Sequence, residues 1–328
     1  MKAATLTIYF VCVILLANAQ EQTYAEKLGY PKGAKVLILH VDDAGMSWDS
    51  NEGAITALEK GVASSVSIMM TCPWVPGFFH YLKDHPDVDA GLHLTLTSEW
   101  KDYRWGPLAG KSAVPGLVDG EGALRSTVEE VVKHATADEI EAEIRAQLDR
   151  ARNFGFTPTH MDSHMGTVFA KQEYLERYFK VGIENQIPVM FPGGHNTMIG
   201  KQMNLSADSR QQMKQAGKLL WDSGLPVLDD LHNLSYDFPY KQGMSDKEIQ
   251  DLATAKYMET ILELKPGLTM VIMHCTWTSE VFPHISDSGL IRKGDLLAMT
   301  NPAFKQFLEK EKIIITTWKE AMKRRRGP

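Results

Sequence analysis

Residues 36–47 read VLILHVDDAGMS, an aliphatic run that stops abruptly at two adjacent carboxylates, a glycine and a serine. The run predicts a strand over Val36–His40, with Asp42 and Asp43 at its C-terminal end. Neighbouring carboxylates repel unless a cation or a shared proton compensates them. A divalent metal on one of them is the natural solution; capping the next helix is the plainer alternative. Because side chains alternate along a strand, the two need not share a role.

The same grammar of short aliphatic run, polar strand end and amphipathic stretch repeats down the chain. It predicts eight strands: Val36–His40, Ser65–Met70, Ala90–Leu96, Thr159–Ser163, Pro188–Phe191, Pro226–Asp230, Thr269–His274 and Ile313–Thr317. Helical patterns fall between them at Asn51–Lys60, Pro76–Lys83, Thr127–Asn153, Gln172–Asn185, Ala207–Ser223, Lys247–Leu264 and Pro302–Glu311. Ser206, Ser245 and Asn301 have the oxygens that cap a first turn. Strict β and α alternation with eight strands predicts an α/β fold, a single distorted (β/α) barrel of the TIM-barrel kind. With no repeat, low-complexity tract or linker, residues 20–328 read as one domain. The one irregular stretch, Ser98–Arg125, carries Trp100, Tyr103 and Trp105 and reads as a lid or binding loop, or else as disordered.

Lys2 precedes an apolar run ending in Ala17, Asn18 and Ala19, the pattern of a signal peptide over residues 1–19 with cleavage after Ala19. The run is shorter than the ~20 residues of a spanning helix, so the expected mature protein is exported, periplasmic or secreted, and free of the membrane. A formal charge of −6 with 23% charged residues argues against a nucleic-acid partner. The basic cluster Lys323–Arg326 reads as a solvated tail after the last element. Cys72 and Cys275, the two cysteines beyond the signal segment, leave one disulfide open to either answer.

In a parallel barrel, catalytic groups gather at the C-terminal strand ends. Besides the Asp pair, those places hold His93 in AGLHLTLT (residues 90–97), and His160, Asp162 and His164 in PTHMDSHMG (158–166). They also hold Asp229, Asp230 and His232 in LDDLHN (228–233), and His274 in VIMHCTW (271–277). His195 lies near another strand end. A buried strand histidine alone is more often a hydrogen-bonded core residue. One carboxylate with two neutral imidazoles, however, makes a hydrolytic metal site with open positions for water and substrate. The expected cofactor is one divalent ion, Zn, Mg, Mn, Co, Fe or Ni. Either His160 or His164 can supply the third ligand; the other, with Asp162, would orient ligands from behind. Trp48, Trp74, Trp100, Trp105 and Trp277 offer faces for sugar rings or for packing.

HVDDAG, GLHLTLT and THMDSHMG, in this order and spacing, resemble the YdjC-like carbohydrate deacetylases, distant relatives of the polysaccharide deacetylases. The resemblance runs from about Lys35 to the last strand. It implies a distorted βα barrel and a metal held by Asp43, His93 and His164. It also implies Asp42 as general base and His274 as the acid that protonates the departing amine. The chain differs in having Ala44 where the family commonly has Phe. Met165, Gly166 and Thr167 follow the DSH segment in place of further histidines, and Cys275, Thr276 and Trp277 follow His274 in place of a Pro-Gly turn. The implied reaction is removal of acetyl groups from N-acetylated sugars or short oligosaccharides by attack of a metal-bound water. The rival expectations are another metal-dependent envelope hydrolase, of amides, esters or phosphoesters, and an exported carbohydrate-binding protein without catalysis.

Overall fold

The computed structural model of the chain describes residues 21–327; the expected signal segment, residues 1–19, lies outside the described residues. Thr23 and Glu26 cap each other at the first helix, α1 (Tyr24–Lys27). The chain then enters β1 (Lys35–Ala44), followed by α2 (Trp48–Glu59), β2 (Ser65–Ile68), α3 (Val75–Asp84) and β3 (Ala90–Leu94). After a long irregular segment come α4 (Val128–His134), α5 (Ala137–Asn153), β4 (Met161–Ser163), α6 (Gln172–Asn185), α7 (Thr197–Gln202) and α8 (Ala207–Asp222). The last third holds β5 (Asp230–His232), α9 (Asp246–Glu263), β6 (Gly267–Met273), α10 (Gly289–Met299), α11 (Pro302–Lys310), β7 (Ile314–Ile315) and α12 (Trp318–Arg326). Ser206, Ser245 and Asn301 each accept an amide proton of the following turn, as their positions predict.

All ladders are parallel, in the order β4-β3-β2-β1-β6-β5, with β7 beside Val36 and Leu37 of β1. The sheet curls so that isolated parallel bridges, Met161 to Val189 and Pro192 to Leu228, link its two ends. The expected α/β barrel is therefore present in distorted form, with seven strands in place of eight. Pro188–Phe191 contributes a bridge only, and the strand expected at Pro226–Asp230 is displaced to Asp230–His232. Pro188, Pro192 and Pro226 explain both corrections, since proline has no amide proton for a ladder.

Alternation along the strands divides the molecule. Leu37, Leu39, Val41, Val66, Ile68, Leu92, Leu94, Val271 and Met273 pack outward against the helices. Val36, Ile38, Leu268, Met270 and Ile272 fill the lower barrel with Trp318 of α12. Continuing the inward face by twos brings His40 and Asp42 on β1, Ser65 and Ser67 on β2, His93 on β3, His160 and Asp162 on β4 and His274 after β6 into the upper barrel. All except His274 and Asp42 are at most 2% exposed. The interior is thus apolar at the floor and polar at the mouth.

Three other expectations are corrected. The pattern over Thr127–Asn153 breaks into α4 and α5 because Thr136 and Glu139 form a capping box that starts a new helix. α10 was hidden because Arg292 and Asp295 stand on its buried side among Leu296, Ala298 and Met299 and interrupt the apolar pattern. Lys323–Arg326 is no solvated tail but the last turn of α12; its Arg324 and Arg325 lie over Tyr30 and Trp221, each 4.2 Å from the ring centroid. Cys72 and Cys275 are buried free thiols. No helix among the described residues is long and apolar enough to cross a membrane.

Candidate metal centre

The Asp pair converges because β1 is irregular where it ends. Between Val41 and Ala44 the strand carries one residue more than β2 opposite, and Asp43 takes a left-handed backbone with φ of 67°. A bulge of this kind re-aims a side chain that alternation would turn outward, and Asp is among the residues that tolerate the conformation. Asp42 and Asp43 therefore both face the barrel mouth.

Asp43 Oδ1 lies 3.2 Å from His93 Nε2 and 3.4 Å from His164 Nδ1, and the two imidazole nitrogens are 3.3 Å apart. The far side of each ring is already engaged. His93 Nδ1 meets Asp162 Oδ1 at 2.7 Å, and His164 Nε2 meets the Glu99 carboxylate at 3.0 and 3.1 Å. A carboxylate can only accept, so those nitrogens carry the ring protons and, in the neutral tautomers, the lone pairs turn toward Asp43. Asp43 Oδ1 has no hydrogen-bond partner despite being buried. Three donors facing one another without a proton to share suit a cation. Their spacing also matches the roughly 3.3 Å between tetrahedral ligands bound at ~2.05 Å.

Asp43 Oδ2 receives Arg292 Nη1 from α10 at 2.6 Å. Burial works against ionisation, yet Arg292 and the two imidazoles hold the Asp43 carboxyl well below the usual carboxylate range. Burial likewise disfavours charge on the histidines. Even so, Asp42, Asp162 and Asp43 push His93 well above its ordinary value, and Glu99 and Asp43 push His164 up to about 9. The cluster draws positive charge, which a proton or a metal ion can supply.

Asp42 and His274 complete the mouth. Asp42 Oδ2 is 3.8 Å from His93 Nε2 and 3.9 Å from His274 Nε2. The His274 amide donates to Asp295 Oδ2 at 2.8 Å, and Tyr257 donates to Asp295 Oδ1 at 2.7 Å. Burial and Arg292 lower the His274 imidazole to about 4; burial pushes the Asp295 carboxyl up to about 6. Trp100 stands 6.4 Å from His164, and Tyr236 meets His274 edge-on at 5.1 Å between ring centroids.

The structure thus brings together all five residues singled out for catalysis and metal binding. His160 faces inward but at a lower level, stacked on Trp318 at 5.4 Å. It occupies the space left by Gly91, where a Cβ would meet the ring at 2.5 Å. His195 sits at the opposite end of the barrel, 3.2 Å from the carbonyl of Pro266, and His232 bonds Thr260 at 2.7 Å. Asp229 and Asp230 receive backbone amides of α1 and α7 and stay away from the donors. Trp48, Trp74 and Trp277 are about half exposed, whereas Trp105 is buried.

Four participants escaped sequence reasoning: His40, Glu99, Arg292 and Asp295. His40 was accessible in principle, since it stands two residues before Asp42 on the same strand face. Glu99 begins the irregular segment, and Arg292 and Asp295 lie on a helix whose pattern concealed it.

The segment carrying Glu99 is ordered. Ser98 and Arg125 join its ends through a 2.9 Å backbone bond, Glu143 accepts Leu108 and Ala109 amides at 3.0 and 2.9 Å, and Tyr103 reaches the Met46 carbonyl. Glu99 is held where it can orient His164.

Residues 36–310 match the model of the YdjC-like protein family. A carbohydrate deacetylase of Brevibacillus brevis is 36% identical over 48% of this chain and 59% of its own length. A carbohydrate deacetylase of Thermus thermophilus is 28% identical over 86% of this chain and 92% of its own. The barrel superimposes with a TM-score of 0.68 on a crystal structure from Enterococcus faecalis V583, at 20% identity, covering 87% of this chain and 98% of that one. With most of its barrel inside the family match, this chain belongs to the YdjC-like family.

Proposed function

We propose that this protein is a metal-dependent carbohydrate deacetylase that removes acetyl groups from N-acetylated sugars or short oligosaccharides. The observation that carries the reading is the convergence of Asp43 Oδ1, His93 Nε2 and His164 Nδ1 beside a second carboxylate, Asp42, and a third imidazole, His274. The deacetylases among the relatives support the substrate class.

A divalent cation held by Asp43, His93 and His164 supplies Lewis-acid polarisation of the acetamide carbonyl and of water. Asp42 takes the proton from the attacking water. His274 is neutral in the resting site, and its Nε2 stands 3.9 Å from Asp42 Oδ2, so a proton passes between them only as the two side chains draw together. The proton it delivers to the nitrogen, as the C–N bond breaks, is the one Asp42 collected. Water is consumed, and acetate and an amino sugar leave. Asp295 holds the His274 backbone, and Trp100 and Tyr236 flank the metal site with faces on which a pyranose ring can stack. The apolar segment at residues 1–19 supports an exported location.

The test is acetate release from N-acetylated mono- and oligosaccharides after stripping and reloading with Zn²⁺, Co²⁺, Mn²⁺ or Mg²⁺, with phosphate and carboxylate esters as controls. Activity that vanishes with chelator and returns with one of these ions is expected. Release from the ester controls alone, or tight sugar binding without acetate under any metal, would overturn the reading.

A further inference from the structure

The upper barrel holds a buried imidazole, His40, that the proposed chemistry does not use. His40 is fully buried, and its Nε2 lies 2.8 Å from Asp162 Oδ2 and 3.1 Å from Asp42 Oδ1. The same nitrogen is 3.0 Å from Ser67 Oγ, and Nδ1 is 2.9 Å from Ser65 Oγ. Nε2 hydrogen-bonds the Ser67 hydroxyl, and both carboxylate oxygens stand at ion-pair distance from it, Asp162 Oδ2 with no hydrogen-bond partner of its own, an arrangement that favours a protonated, positively charged ring. The Ser65 hydroxyl oxygen can accept the proton of Nδ1. The ring then donates at both nitrogens.

The two carboxylates have different tasks. Asp42 is the proposed base, and Asp162 orients His93 through the 2.7 Å bond already described. An unbroken chain therefore runs from Asp42 through His40 and Asp162 to His93. We propose that His40 is a positioning residue that holds the base and the carboxylate behind His93 in one fixed relation. The inference deepens the deacetylase reading and rests on it for the role of Asp42.

The surroundings agree with that task. His160, edge-on at 4.9 Å, is held neutral by burial and by the charge of His40. Burial alone would make His40 neutral too, but Asp162 and Asp42 push it up to about 9. Ser67, 3.4 Å from Asp42 Oδ1, steadies the same carboxylate from β2. A wedge fixed from three strands costs no reorganisation when the base takes its proton, the condition under which preorganised groups contribute most.

The experiment is a double-mutant cycle with His40→Gln and Asp162→Asn, read twice, as kcat and KM for acetate release and as Zn²⁺ affinity by titration calorimetry. Loss of His40 should lower kcat about 100-fold with KM within threefold, and weaken Zn²⁺ about tenfold. In the Asp162→Asn background the same change should add less than threefold to either loss, because the chain is already cut. Additive effects in both readouts, or His40→Gln with unchanged kcat and Zn²⁺ affinity, would overturn the proposal. Ser67→Ala serves if His40 variants do not fold, with a smaller kcat loss at constant KM expected and an unchanged kcat counting against. Nitrogen-15 spectra of the Zn²⁺-loaded wild type should show both ring nitrogens of His40 protonated; a ring with one bare nitrogen counts against it. If the wild type releases no acetate while Zn²⁺ coupling and ring state hold, the deacetylase reading fails and the chain through His40 stands.

Discussion

At the scale of single residues, Asp42 and Asp43 differ in what they touch, and substitution should separate them. Asp42→Asn is expected to keep the metal and lose turnover by ~10²–10⁴-fold, whereas Asp43→Ala should lose the metal itself. Metal content and acetate release, measured on both variants, check this. Arg292 makes a subtler prediction. Its pairing with Asp43 neutralises a buried carboxylate, and removing one partner of a buried pair costs ~3–5 kcal/mol. Arg292→Met should therefore unfold earlier than wild type in chelator and recover much of the difference when Zn²⁺ takes over the compensation. Equal Zn²⁺-induced shifts in the two melting temperatures would contradict it. Because protons and metal compete for His93 and His164, Zn²⁺ affinity should also fall steadily as pH drops from 8 to 6, with protons released on binding.

At the scale of elements, the legible parts were those whose sequence obeys a period. Gln172–Asn185 was readable to the residue because its apolar positions recur at helical spacing, and Val36–His40 because a strand between two packed layers is almost wholly aliphatic. Several helices escaped: α1 and α7 are too short to show a period, and in α10 Arg292 and Asp295 interrupt the buried apolar positions. Prolines reduced one expected strand to a bridge and displaced another, and neither bulge nor left-handed Asp43 leaves a periodic trace. The candidate ligands were nevertheless legible at regular strand ends, although the residues alone left His160 and His164 open and only the family resemblance favoured His164. Their supporting partners arrive from a helix and an irregular segment, which carry no such regularity. That segment yields a prediction of its own. Glu143 ties it to α5 through two amides, so Glu143→Ala should expose residues 98–125 to protease and weaken Zn²⁺ binding several-fold through Glu99. Unchanged cleavage and affinity would show the segment anchored elsewhere.

At the scale of the whole molecule, stability depends on keeping charge out of the packed layers. His232 is buried and lowered to about 4 by that burial, against about 6.5 in the unfolded chain. Between those values the unfolded state binds a proton that the folded state does not, so stability is full above pH 6.5 and is lost as pH falls toward 4. The loss is on the order of 3 kcal/mol from this group. Comparing denaturant midpoints of wild type and His232→Phe at pH 7 and pH 4.5 isolates it: the wild type should lose more of its stability between the two.

The floor of the barrel has one further consequence. Trp318, held where its own amide and that of Lys319 donate to Asp89 at 3.0 and 2.8 Å, stacks beneath His160 and fills the barrel floor. On the proposed reaction, substrate would enter and both products would leave past Trp100 and Tyr236 at the mouth, so acetate that lingers there would compete with the next acetyl group.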